Sequence, residues 1–135
     1  MQNPSKQQID TILKSAKTIA VVGLSDNPER TSYKVAKFMQ GAGYRIIPVN
    51  PKATEILSEK TVASLGEIEE HVDIVNVFRR SEFLPEIARD FLNIDADVFW
   101  AQLGLFNEEA YELLENHYPV IMDKCIKVAY REMEH

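Results

Sequence analysis

Five short apolar runs, separated by segments of helical periodicity, constrain this chain more than any other feature. They are TIAVVGL (18–24), YRIIPVN (44–50), VDIVNVF (72–78), DVFWAQL (97–103) and PVIMD (119–123). They favour Val, Ile and aromatic residues, which suit a pleated backbone. Several are apolar at consecutive positions instead of alternate ones. A strand tolerates that when both its faces are covered, as in a parallel sheet.

The segments between them carry helix signals. Before the first strand, Asn3 is placed to cap a helix, Pro4 suits its first position, and Ile9, Ile12, Leu13 and Ala16 share one face. A second helix starts near Ser32, turns Val35, Phe38 and Met39 inward, and stops around Gly41 and Gly43. SLGEI predicts a short helical turn with Ser64 and Glu67 at capping-box spacing. A helix over 81–92 turns Phe83, Leu84, Ile87, Ala88 and Phe91 inward, and admits Pro85 only in its first turn. NEEAYELLENH is capped by Asn107, with Glu108 and Glu109 favourable to the helix dipole, and IKVAYREMEH forms a closing helix. The alternation predicts an α/β fold of three layers in one domain, 1–135. Its five-stranded parallel sheet is wrapped on both faces by right-handed crossovers.

Composition narrows the function. With 135 residues, 45% of them hydrophobic, the chain can build one core. A net charge of −6 disfavours nucleic acid as a partner, because binding it means neutralising phosphates with Lys and Arg. A small phosphorylated ligand needs only a local cluster of positive charge. The single cysteine, Cys125, excludes an intramolecular disulfide and a cysteine-built zinc centre, and fits a reducing compartment. No apolar run approaches the ~20 residues that cross a bilayer, and MQNPSKQQID lacks an apolar signal core. The expectation is a cytoplasmic protein without a membrane partner.

In a parallel sheet, ligands bind beyond the carboxyl ends of the strands. The first such end reads GLSDNPERTSYK. Gly23 lets the backbone turn sharply, Ser25 offers a hydroxyl, and Thr31 and Ser32 stand where a helix cap belongs. Arg30 and Lys34 sit at the start of the second helix, where cations oppose the dipole and a bound phosphate would reverse that penalty. A dinucleotide site usually has G-x-G-x-x-G and an acid ~20 residues later. Here two of those glycines are missing, and the second strand ends in Asn50, Pro51 and Lys52. Lys52 accepts no hydrogen bond but pairs with phosphate, which suits an adenosine with a phosphorylated ribose. Coenzyme A and NADP both fit. Arg79 and Arg80, after the third strand, add charge at the same end. No phosphate-binding G-x-x-x-x-G-K-[ST] loop occurs.

VVGLSDNPERTSYKVAKFMQGAGYRIIPVNP, DIVNVFRR, WAQLG and VIMDKCIK together resemble the stand-alone CoA-binding domain proteins. Those are similar to the nucleotide domain of the succinyl-CoA synthetase α subunit. The resemblance spans 14–129, and the combination G-x-S-x-x-x-x-R-x-S with N-P, F-R-R and Q-L-G is its specific part. It implies a Rossmann-like fold that binds coenzyme A. It implies that Gly23, Ser25, Arg30, Ser32 and Tyr33 surround the phosphates and that Asn50, Pro51 and Lys52 lie near the phosphorylated ribose. Phe78, Arg79 and Arg80 would lie by the adenosine and phosphate groups, and Gln102 and Gly104 along the pantetheine route. The synthetase's catalytic domain, with its phosphorylated histidine, has no counterpart here. The expected activity is therefore binding of coenzyme A or an acyl-CoA without catalysis. The alternatives are a small NADP-linked oxidoreductase and a CoA-responsive regulatory subunit with a protein partner.

The other reactive residues have simpler roles. Cys125 follows the last strand, where it could meet the thiol of coenzyme A in a mixed disulfide; its bland role is that of a small hydrophobe. His71, His117 and His135 show no metal-ligand spacing and no nucleophile to activate. Asp95 and Asp97 read as turn residues before the fourth strand, and Trp100 as core.

Overall fold

The apolar runs form the strands, each trimmed where the chain must turn. In the computed structural model, which describes residues 1–133, these are β1 (Thr18–Val22), β2 (Arg45–Val49), β5 (Val72–Val77), β6 (Ala96–Ala101) and β7 (Val120–Ile121). They pair in the order β2-β1-β5-β6-β7, and every pairing is parallel. The helices are α1 (Lys6–Ser15), α2 (Thr31–Gly41), α3 (Leu84–Phe91), α4 (Glu108–Leu114) and α5 (Ile126–Glu132). The expected closing helix extended through Glu134 and His135, which lie outside the described residues. The fold is the α/β parallel-sheet arrangement that the alternation predicted and the Rossmann-like one that the family resemblance implied.

Alternation along β6 shows how the layers form. Val98 and Trp100 face α1, α2 and α5, while Phe99 and Ala101 face α3 and α4. Trp100 is fully buried, and its indole N–H donates to the Lys124 carbonyl at 2.8 Å. On the other face Phe91 of α3 meets Phe99 and Tyr118 edge to face.

Several local expectations change. Asn3 does not cap α1. Ser5 does, in a reciprocal box with Gln8, which leaves Pro4 outside the helix. The Asn3 amide instead donates to the Met122 carbonyl and accepts from the Met122 N–H, both at 2.9 Å. It thereby satisfies backbone groups just past the edge strand β7. Ser64 contacts the Glu67 carboxylate at 3.4 Å but makes no cap to the 3₁₀ turn Leu65–Glu67. Pro85 is accommodated because a 3₁₀ turn, Ser81–Phe83, precedes α3 and leaves the proline in the first turn. A small hairpin, β3 (Glu55–Ile56) with β4 (Glu59–Lys60), was not anticipated. Its turn places Leu57 and Ser58 at φ of 56° and 64°, where Asn-Gly is the usual signal.

The amino edge of the sheet carries a charge network. His71 contacts Asp95 at 2.9 Å, Asp97 at 3.0 Å and Asp73 at 3.3 Å; Asp95 lies just before β6, whereas Asp97, expected as a turn residue, is inside the strand, and both are ion-pair partners. The hydrogen bond to Asp95 raises the His71 pKa most; slight burial opposes it, and Asp97 adds to the rise. Burial pushes Asp73 up, but N–H groups of Lys17 and Thr18 outweigh it and hold the carboxyl below its ordinary value. A histidine raised on folding adds stability below its unfolded pKa of about 6.5 and loses it as pH climbs through the folded value. The stability gap between wild type and His71→Ala, from urea midpoints, should therefore be larger near pH ~6 than near pH ~8.5.

Candidate functional site

β1 and β5 lie side by side at the centre of the sheet, and their helices leave toward opposite faces. A crevice opens where they part. Gly23 ends β1 there, with its N–H on the Val49 carbonyl of β2 (3.2 Å), while Phe78 N–H donates to Val22 (2.9 Å). Gly23 has φ of +83°, and an added Cβ would lie 3.3 Å from both Cγ and Cδ of Arg79. The Arg79 stem thus crosses directly over the glycine. Its guanidinium lies 4.3 Å from the centre of the Phe83 ring.

The loop after Gly23 is built from short side-chain turns. The Ser25 N–H donates to the Ser32 hydroxyl at 3.0 Å, the Ser25 hydroxyl accepts from Asn27 N–H, and Asn27 Oδ1 accepts from Glu29 N–H. Ser32 is therefore no helix cap. It lies inside the first turn of α2, buried, and ties the loop down, while Arg30 occupies the cap position without a side-chain capping bond. Opposite, Asn50 Oδ1 accepts from the N–H groups of Lys52 and Ala53, and Asn50 Nδ2 donates to the Leu24 carbonyl. That side chain joins the β1 and β2 ends and leaves Lys52 exposed.

These ends enclose a cavity of about 620 Å³ that brings Gly23, Ser25, Asn50, Pro51, Lys52 and Arg79 together. The other predicted residues share the rim but do not line this cavity. Arg30 is exposed, and Tyr33 and Phe78 pack partly buried against the α1–α2–α5 side of the core. Arg80 pairs with Glu82 and lies 5.4 Å from the Phe83 ring centre. Gln102 is 5% exposed, and its Oε1 accepts from Asn76 and from the Ile126 N–H. Gly104 (φ +86°) belongs to an outer loop fixed at Asp123, whose Oδ1 accepts the Gly104 N–H at 2.7 Å. Cys125 is half-buried at the start of α5.

Sequence reasoning missed one wall. Glu86, Ile87 and Asp90 of α3, with Ala63, Ser64 and Leu65, close the cavity. Their spacing reads only as an amphipathic helix and a turn; nothing in the sequence pairs them with the rim. A larger cavity of about 880 Å³ lies between the N-terminal segment, α1, α4 and the start of β7. No lysine or arginine lines it, so it does not suit a polyanion.

Comparison with known proteins then decides the family. The model of the CoA binding domain matches residues 17–131. The chain belongs to the CoA binding domain family. It is 63% identical to YneT of Bacillus subtilis over 131 residues, which cover 96% of this chain and 97% of that one. It is 24% identical over 74 residues to an ADP-forming acetate–CoA ligase of Methanocaldococcus jannaschii, covering 55% of this chain and 10% of the ligase. A solved protein of Thermus thermophilus superimposes with a TM-score of 0.86 at 33% identity, covering 97% of this chain and all of that one. In this CoA-binding domain no helix among the described residues is long and apolar enough to cross a membrane.

Gly23 carries two demands, a left-handed backbone and room for Arg79. Gly23→Ala should cost about 1–2 kcal/mol from the backbone alone. It should also displace the Arg79 stem. Thermal melting reads the first effect, and ligand titration of the folded variant reads the second.

Proposed function

We propose that this chain binds coenzyme A, free or acylated, across the carboxyl rim of the sheet, and performs no chemistry on it. The observation that carries this reading is the convergence of Arg79 and Lys52 with Gly23, Ser25 and Asn50 on one cavity. Membership of the CoA binding domain family supports the choice of coenzyme A over NADP. In this reading the pyrophosphate lies over Gly23 and Ser25 beneath the Arg79 guanidinium, with Arg30, Ser32 and Tyr33 flanking it. Lys52, held out by the Asn50–Pro51 turn, pairs with the phosphate on the ribose. Phe78 and Arg80 stand beside the adenosine and phosphates, and the pantetheine arm runs toward Gln102 and Gly104.

Each role has a physical basis. Arg79 is an always-charged fork whose stem is pinned, so little freedom is lost when it meets phosphate. Lys52 is a flexible point charge that suits an exposed monoester. A charge-assisted hydrogen bond contributes about 1.5–3 kcal/mol, equivalent to roughly tenfold or more in affinity.

Calorimetric titration with coenzyme A should show saturable binding, weakened about tenfold by Arg79→Ala or Lys52→Ala. The Lys52 effect should vanish when the ligand is dephospho-coenzyme A, which lacks the ribose phosphate. A flat titration of the wild type overturns the reading. NADPH binding as tightly as coenzyme A would shift it to the oxidoreductase alternative.

A further inference from the structure

The amino edge of the sheet, at the opposite end of the strands from the rim, gathers a second set of chemically active groups. His71-x-Asp73 leads into β5, and Asp95-x-Asp97 leads into β6. The register of the two strands, Val72 opposite Ala96 and Ile74 opposite Val98, sets Asp73 beside Asp97. Like charges so placed oppose strand pairing. Sequence spacing hides the set, because only the pairing of two distant strands completes it.

The imidazole organises the cluster. Its Nδ1 lies 2.9 Å from Asp95, while its Nε2 lies 3.0 Å from Asp97 Oδ2 and 3.3 Å from Asp73 Oδ1. When Nδ1–H donates to Asp95, the neutral ring turns a lone pair at Nε2 toward two carboxylate oxygens. Three electron-pair donors then face one another, and the charge of Arg45, at the same edge, goes to Glu70. Asp73 is the anchored member. Its Oδ2 accepts from the Lys17 and Thr18 N–H groups at 2.8 and 3.0 Å, which leaves Oδ1 for the imidazole side. One ligand atom from each of His71, Asp73 and Asp97 lies within 4.8 Å of the other two, and no other such group occurs among the described residues. Ligands about 2.1 Å from a zinc ion stand about 3.0–3.4 Å apart. The two Nε2 distances already meet that spacing.

We infer that His71 Nε2, Asp73 and Asp97 form a site for one divalent cation of the borderline class that accepts imidazole, such as Zn²⁺, with Asp95 orienting the ring. The ring nitrogen disfavours Mg²⁺ and Ca²⁺, which take oxygen ligands. A carboxylate on Nδ1 fixes the tautomer and makes Nε2 a better ligand. Three protein ligands leave coordination positions open to water. The inference does not rest on the coenzyme A reading, because the two sites lie at opposite ends of the strands.

The test is calorimetric titration of the full chain, free of a polyhistidine tag and stripped with chelator, with zinc chloride and with magnesium chloride. Wild type should take up one Zn²⁺ per chain and bind Mg²⁺ about tenfold or more weakly by comparison. His71→Ala should lose that uptake, and Asp95→Asn should weaken it about tenfold without changing the stoichiometry. His117→Ala should leave it unchanged. Asp73 is not varied, because its carboxylate also holds the backbone at the start of β1. In the wild type, the histidine ring whose NMR signals shift with Zn²⁺ should be that of His71, a readout that survives if His71→Ala does not fold. No saturable Zn²⁺ uptake, uptake unchanged in folded His71→Ala, Mg²⁺ bound as tightly as Zn²⁺, or shifts confined to another histidine each overturns the site.

Discussion

The parting of β1 and β5 governs this molecule. Both strands are central, parallel and buried, so neither can be shifted without exposing the core. The chain leaving β1 passes into α2 on one face, and the chain leaving β5 passes into α3 on the other. The backbone at the two exits stays paired, Gly23 N–H with the Val49 carbonyl and Phe78 N–H with the Val22 carbonyl, so the crevice between them is lined by side chains. The Arg79 stem lies over Gly23, where a Cβ would crowd it at 3.3 Å. The position of the cavity thus follows from connectivity before any residue in it is chosen.

The fold was legible because a doubly covered parallel strand leaves a dense signature. Runs such as IAVV in β1 and VDIVNV in β5 are apolar on both faces, and few other structures use that pattern. Capping was less legible. Asn3 has the composition of a cap, yet Ser5 has the glutamine three residues on that closes a box, and the asparagine is free to serve the Met122 backbone. That role depends on a contact across 119 residues of sequence, which no local pattern encodes. The β3–β4 hairpin escaped for the opposite reason: its turn uses Leu57 and Ser58 where glycine or asparagine would have announced it.

The rim was readable as a set of strand ends, but the division of labour within it was not. Ser32 looks like a capping serine, and only the structure shows its hydroxyl accepting from Ser25 instead. Gln102 looks like an exposed polar residue after a strand, yet it is buried among Asn76 and the Ile126 N–H and joins β5, β6 and α5. Both residues hold the rim in shape from beneath. The α3 wall was invisible because a helix running back along the sheet shows its apolar side in sequence, while the residues flanking that side meet the cavity only through tertiary packing.

Electrostatics constrains how the proposed site can hold a polyanion. A chain of net charge −6 repels a polyanion at long range, although salt screens that repulsion beyond about 8 Å. Within the cavity itself the three carboxylates Asp26, Glu86 and Asp90 outnumber Lys52 and Arg79. Attraction of a phosphorylated ligand therefore cannot come from average charge. In the proposed binding mode it comes from short distances, with the Arg79 fork close to phosphate and the carboxylates far from it. A mobile arginine would average over both and lose the distinction. The Arg79 stem over Gly23 and its head near Phe83 are placed to keep the charges sorted for the anion proposed to bind there.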